Sequence, residues 1–266
     1  GAGGRSAQGT EGRPVSGPLL VGLEGGVLTL TLNRPDKRNA LDTPTLDALH
    51  AALERADLDA EVRVVAVRGA GKDFCAGADL AELLASAGHT PEENERAALH
   101  MGGLFIKIRE LPKPVVAVVH GRALAGGAGL ATACDLVLST ASAQFGYPEI
   151  QRGFVPAMVM TLLRRLTGEK LAFDLAATGR VLSAGEALAA GLVSRVIPDA
   201  GFEAEAGRVL AALAATSGSA LALTKRQFYQ LDGLAFQEGI ALGAQVNALA
   251  RSTPDFKRAI AAFLDK

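Results

Sequence analysis

The chain has 266 residues, with 27 Lys and Arg against 28 Asp and Glu, a formal net charge of -1 at pH 7, 49% hydrophobic and 21% charged residues. This is the composition of a folded globular protein, long enough for one large domain or two small ones, and far from that of a disordered chain. Near-zero net charge without a Lys/Arg run argues against nucleic acid or an anionic membrane surface as a partner.

The first 16 residues are Gly-rich with no apolar core, and read as a flexible lead without a signal-peptide h-region. Leu19 to Leu23 and Val27 to Leu32 flank Gly25 and Gly26, the spacing of a tight hairpin at a sheet edge. Thr43 followed by Pro44 reads as an N-cap and first turn, with Leu46, Leu49 and Leu53 at helical spacing through about Asp57. Val62 to Val67 is a β-branched run ending at a Gly69 to Gly71 turn. The almost wholly apolar Val115 to Val119 is expected to be a strand covered on both faces. Leu136 to Leu138 and Val193 to Ile197 are two further strand signals. Between them lie a helical pattern at Leu162, Leu163 and Leu166 and a capping box at Ser183 and Glu186. Strand and helix thus alternate, the signature of an α/β architecture. From Phe202 onward only amphipathic helices follow, the last capped by Thr253-Pro254 and carrying Phe256, Ile260, Phe263 and Leu264 on one face. Such a segment packs on another subunit or folds back on its own domain.

The two cysteines, Cys75 and Cys134, form no C-x-x-C pair, so neither a disulfide framework nor a zinc site is indicated, and a reducing, cytoplasmic compartment is expected. No apolar run approaches the roughly 18 residues that cross a bilayer.

Glycine is the skewed count: 31 residues, well above the usual share of about 7%. Two Gly-rich turns follow buried strands, Phe74-Cys75-Ala76-Gly77-Ala78-Asp79-Leu80 and His120 through Leu130. Small residues there expose backbone N–H groups, and a turn opening a helix adds the positive end of its dipole, where negative charge on an oxygen is stabilised. Taken singly, each turn is equally a device for close packing. Gly127-Ala128-Gly129 is a poor dinucleotide fingerprint, with Thr132 at the third glycine position, and Gly69-Ala70-Gly71-Lys72-Asp73 lacks the Ser/Thr of a P-loop. Neither G-x-S-x-G nor H-E-x-x-H occurs.

Five segments in register carry a more specific signal: Leu32-Asn33-Arg34-Pro35 with Asn39-Ala40-Leu41; Ala76 through Leu80; the second turn closing on Ala133-Cys134-Asp135; Phe145-Gly146-Tyr147-Pro148-Glu149-Ile150; and the ending Ala261 through Lys266. From Leu19 to Lys266 the chain resembles the crotonase superfamily, the enoyl-CoA hydratases and isomerases. The resemblance implies a spiral of repeated ββα units over 17–200, a C-terminal helical oligomerisation region over 201–266, and a homotrimer or dimer of trimers. It implies an acyl-CoA substrate, coenzyme A being part of that substrate, with no metal or separate cofactor.

By position, the resemblance places the two amides that hold the thioester oxygen at Ala78 and Gly126, and proton transfer at Glu149. Alone, Glu149 reads as a solvated loop residue; with Phe145, Ile150, Phe154 and Val155 near it in sequence, an apolar wall raises its pKa into a useful range. Where relatives carry a second glutamate this chain has Gly129, and Ala157 replaces a glycine of the stretch holding the catalytic water. The resemblance also assigns Lys37, Arg38 and Lys266 to the CoA phosphates, with Ala40, Ala76, Asp79, Leu80, Gly127 and Phe263 around the ligand. Asp79 is also a helix-cap candidate. His120 reads as a hydrogen-bonded structural histidine, and His50, His89 and His100 have no partners that sequence can name. The stretch from Leu83 to His100 reads as a mobile cover or an exposed loop. The expected reaction is addition of water to a 2-enoyl-CoA. The alternatives are a 3,2-enoyl-CoA isomerase and a non-catalytic acyl-CoA binder; an RNA-binding or scaffold role ranks last for want of a basic patch.

Overall fold

A computed structural model describes residues 17–265; the Gly-rich lead and Lys266 lie outside the described residues. Strands β1 (Leu19–Glu24) and β2 (Val27–Leu32) pair antiparallel across Gly25 and Gly26. Both glycines hold positive φ, 56° and 80°, as a two-residue hairpin turn requires. Helix α1 (Thr43–Leu58) follows a short 3-10 turn at Pro35–Lys37. Its cap is Asp42, whose carboxylate accepts from the Thr45 N–H; Thr43, expected as the cap, is the first helical residue. Asp competes at least as well as Thr for that position, and Pro44 is tolerated one residue further in.

Next come β3 (Val64–Gly69), α2 (Leu80–Ala85), α3 (Pro91–Glu110), β4 (Val115–Val119), β5 (Arg122–Leu124), α4 (Gly126–Ala133), β6 (Leu136–Thr140) and β7 (Gln144–Gly146). A 3-10 turn at Pro148–Arg152 leads to α5 (Ala157–Thr167), α6 (Glu169–Thr178), β8 (Val181–Ser183), α7 (Ala184–Ala189) and β9 (Arg195–Ile197). The chain ends in α8 (Phe202–Ala215), α9 (Gly218–Gln230), α10 (Phe236–Ser252) and α11 (Pro254–Leu264).

The fold is mixed α/β, with a main sheet ordered β1-β2-β3-β4-β6-β9 and a small one ordered β5-β7-β8. From β2 onward the main sheet is parallel, so both its faces must be covered. Alternate residues of β3 and β4 divide accordingly. Val65, Val67, Val115, Ala117 and Val119 join the core beneath α1, α3 and α4, while Val64, Ala66, Val116 and Val118 pack against Phe202, Ala206, Val209 and Leu210 of α8. Helix α8 thus folds back on the sheet, and beyond it only Lys225 of α9 is buried among the described residues.

The segment from Leu83 to His100, expected as a mobile cover or an exposed loop, is largely helical, broken only at His89 and Thr90. Thr90 and Glu93 form a complete capping box that opens α3, and Met101, Leu104, Phe105 and Ile108 bury its inner face. Among the described residues no single helix is long and apolar enough to cross a membrane.

Candidate active site

The two glycine-rich turns meet. Leu41 N–H donates to the Gly77 carbonyl at 2.8 Å and Asp79 N–H to the Leu41 carbonyl at 3.0 Å, a parallel bridge between Leu41 and Ala78. In that pattern the partner uses the groups on either side of Ala78, so Ala78's own N–H faces the opposite way. On the second turn, Ala125 N–H donates to the Gly146 carbonyl and Leu124 N–H to the Cys75 carbonyl. Gly126 then opens α4, and its N–H has no intrahelical acceptor. Among the described residues neither the Ala78 nor the Gly126 N–H donates to a protein acceptor.

The turns can approach because their residues are small. A methyl on Gly77 would lie 3.2 Å from the Gly126 nitrogen, one on Gly126 would lie 3.8 Å from the Ala78 nitrogen, and one on Gly127 would sit 2.3 Å from the Cys75 carbonyl oxygen. Ala125 holds φ of 51° and ψ of -126°, a strained conformation for a residue with a Cβ. The result is a pair of converging, unsatisfied donors, one at a helix N-terminus, where an oxygen acquiring negative charge is stabilised.

These amides open onto a cavity of about 640 Å³. Its walls include Lys37, Arg38, Ala40, Ala76, Ala78, Asp79, Leu80, Gly126, Glu149 and Ala157, so the structure brings together most of the residues picked out in the sequence. Gly127 does not line it; it is the buried contact of α4 with the first turn. Phe263 stands exposed on α11, away from the cavity. Of the apolar residues expected around Glu149, Phe154 and Val155 line the cavity, whereas Phe145 is buried in the core and Ile150 is exposed. Further apolar wall comes from Leu83, Leu84, Met101, Met158 and Val159, and Arg152 also lines the cavity. Leu83 and Leu84 belong to the stretch read as a cover or an exposed loop; sequence reasoning missed Met101, Met158 and Val159, although the helical spacing of Met101, Leu104 and Phe105 was a usable signal.

Glu149 sits in the first turn of the 3-10 segment. Its Oε2 is buried with no hydrogen-bond partner. Burial raises its pKa, opposed by its own backbone N–H and by the Arg152 guanidinium. A buried carboxylate oxygen with no partner, facing the same cavity as two free amides, is poised to exchange a proton with a ligand. The position expected to hold a second acid is filled instead. A methyl on Gly129 would lie 2.3 Å from Val159 Cγ1 and 2.9 Å from Phe105 Cζ, so apolar side chains occupy that space.

Asp79 caps α2, accepting from the Ala81 and Glu82 N–H groups, and accepts from Arg34 at 2.9 Å. The Arg34 hydrogen bond, followed by those caps, holds its carboxyl below the usual range. His120 lies within hydrogen-bonding distance of the Gly71 carbonyl, and His100 of Asp47, while the His50 and His100 rings stack at 4.6 Å. Cys75 and Cys134 are buried free thiols, Cys75 pushed up to about 12 by burial. Among the described residues no cluster of three or more His, Cys, Asp or Glu side chains is arranged to hold a metal ion.

Residues 22–266 match the sequence profile of the family described as enoyl-CoA hydratase/isomerase. The chain is 43% identical to a Thermus thermophilus protein provisionally named an enoyl-CoA hydratase, over 91% of this chain and 96% of that one. It is 36% identical to the 2,3-dehydroadipyl-CoA hydratase of Escherichia coli, over 93% and 96%. Among solved structures, the enoyl-CoA hydratase of Mycobacterium smegmatis superposes with a TM-score of 0.89 at 34% identity, over 93% and 96% of the two chains.

Proposed function

The chain belongs to the enoyl-CoA hydratase/isomerase family, and from that premise we propose that it hydrates a 2-enoyl-CoA with Glu149 as its one acid-base group. The Ala78 and Gly126 amides hold the thioester oxygen. Glu149 takes a proton from water as the water oxygen bonds to C3, and the displaced π electrons move onto the thioester oxygen as an enolate. The protonated Glu149 then returns a proton to C2, so H and OH enter on one face and the carboxylate is regenerated. Each amide is worth most when charge has developed, which lowers the barrier rather than merely tightening binding. The addition is redox-neutral and requires no electron carrier. Lys37 and Arg38, both exposed at the rim of the cavity, would meet the CoA phosphates as point charge and fork respectively.

The unpartnered Oε2 of Glu149, on the same cavity as two free amides, is the observation that carries this reading. It also weighs against a silent acyl-CoA carrier, because leaving a buried carboxylate oxygen unsatisfied is unfavourable and a carrier has no use for it. The packed space at Gly129 favours a second reading, 3,2-isomerisation, since one carboxylate suffices to move a proton along an acyl chain. Crotonyl-CoA and a 3-enoyl-CoA, offered in parallel, separate the two: hydration removes the conjugated absorbance of the first, and isomerisation creates it from the second. We expect loss of crotonyl-CoA absorbance; no change with crotonyl-CoA but a gain with the 3-enoyl-CoA would replace hydration by isomerisation.

The site is proposed to work in a cytoplasmic homotrimer or dimer of trimers. Support comes from the last three helices, whose Phe228, Phe236, Ile240, Phe263 and Leu264 are exposed with no covering element among the described residues.

A further inference from the structure

We infer that Arg34 is a positioning residue for the thioester site, the clamp that aims the Ala78 amide; the inference rests on the oxyanion reading proposed above. Arg34 opens the 3-10 turn that follows β2 and does not itself line the cavity, but it holds two residues that do, Ala40 and Asp79. Its guanidinium spans three groups. Nη1 donates to the Ala40 carbonyl at 2.7 Å, and Nη2 donates to Asp79 Oδ2 at 2.9 Å and lies 3.2 Å from Asp42 Oδ2. Its backbone N–H is taken by the Asn39 side chain at 2.9 Å.

These contacts bracket the Leu41 to Ala78 bridge on both sides. Ala40 and Asp42 are the neighbours of Leu41, and Asp79 is the neighbour of Ala78. The direction of the Ala78 N–H is set by two hydrogen bonds with Leu41, and the segments carrying them are tied together by one planar side chain. Side-chain exposures of 21%, 15% and 11% for Arg34, Asp42 and Asp79 place the fork where competition from water is reduced. Asp42 and Asp79 also cap α1 and α2 with their other oxygens, so each carboxylate fixes a helix start and the bridge together. A lysine has a single ammonium at the end of a flexible stem and cannot span a carbonyl and two carboxylates in this plane.

The test uses the full chain and butyryl-CoA labelled with 13C at the thioester carbonyl, a saturated ligand with no double bond to hydrate. Its C=O stretch moves to lower wavenumber as the oxygen accepts stronger hydrogen bonds. In the wild type the bound band should lie well below its position in water. In Arg34→Met most of that displacement should be lost while butyryl-CoA still binds within about tenfold, the CoA portion being held elsewhere. Hydration kcat should fall by about tenfold or more, short of the roughly 10²–10³-fold loss of an oxyanion donor outright, with KM changing less. Should Arg34→Met not fold, Arg34→Lys keeps the charge and should show the same loss of displacement. A wild-type displacement that persists in either variant overturns the role of Arg34 alone. A wild-type band at its solution position overturns the oxyanion reading itself.

Discussion

The two walls of the active site are built on opposite principles. The oxyanion wall is backbone: Ala78 and Gly126 present amides whose directions are set by neighbours, and both donors are main-chain groups. The acid wall is one side chain, Glu149, on a short 3-10 turn, with an oxygen left unpaired and an oppositely charged neighbour at Arg152. A backbone site is tuned only through packing and clamps, whereas a side-chain site is tuned by burial and charge.

The largest contrast comes from Glu149→Gln, which should lower kcat by about 10²–10⁴-fold, the usual range for a positioned acid-base group. Burial raises the Glu149 pKa, so wild-type kcat/KM should rise with pH through a midpoint above the ordinary glutamate value of about 4.3. The same shift carries a stability sign. Between the unfolded and folded pKa values the native state holds more protons, so this group's contribution is present below the unfolded value and is lost as pH rises through the folded one. Glu149→Gln should therefore raise Tm at neutral pH and lose that advantage in acid; an unchanged Tm difference across the range would show that the carboxylate is not desolvated.

On the backbone wall the corresponding change is Gly127→Ala, whose methyl would meet the Cys75 carbonyl oxygen at 2.3 Å. It should push α4 off the first turn, lowering kcat by about 10–100-fold, since a 1 Å misplacement is enough for such a loss. Overpacking should also cost about 1–3 kcal/mol in denaturant unfolding. Wild-type rates in this variant would mean that the amide separation is not critical. The mildest change is Arg152→Leu. Removing the guanidinium takes away a charge that favours the ionised form of Glu149, so the kcat/KM midpoint should move to higher pH with little change in plateau. A midpoint that stays put would place Arg152 outside the tuning of Glu149.

The sequence made some elements plain and hid others for identifiable reasons. Val115–Val119 was legible because a parallel strand buried on both faces is apolar throughout. Helix α3 was not, because Gly88 and Pro91 together read as loop punctuation, although Thr90, Pro91 and Glu93 are the N-cap, first-turn proline and capping-box glutamate that the structure shows. At the site, the amides and Glu149 were recognisable only through their resemblance to a family. The packing that gives them meaning was not: that Val159 and Phe105 fill the space at Gly129, or that Arg34 ties its own stretch through Asp42 to the distant turn at Asp79, depends on long-range proximity that no local pattern encodes.

The central claim is that one carboxylate delivers both parts of water to one face of the double bond. Hydration of crotonyl-CoA in D2O, with the 3-hydroxybutyryl product analysed by NMR, tests it directly. A single C2 diastereomer is expected, with deuterium and hydroxyl on the same face, formed about 10²–10⁴-fold more slowly by Glu149→Gln. Deuterium on both faces of C2, or addition to opposite faces, would contradict the single-carboxylate account.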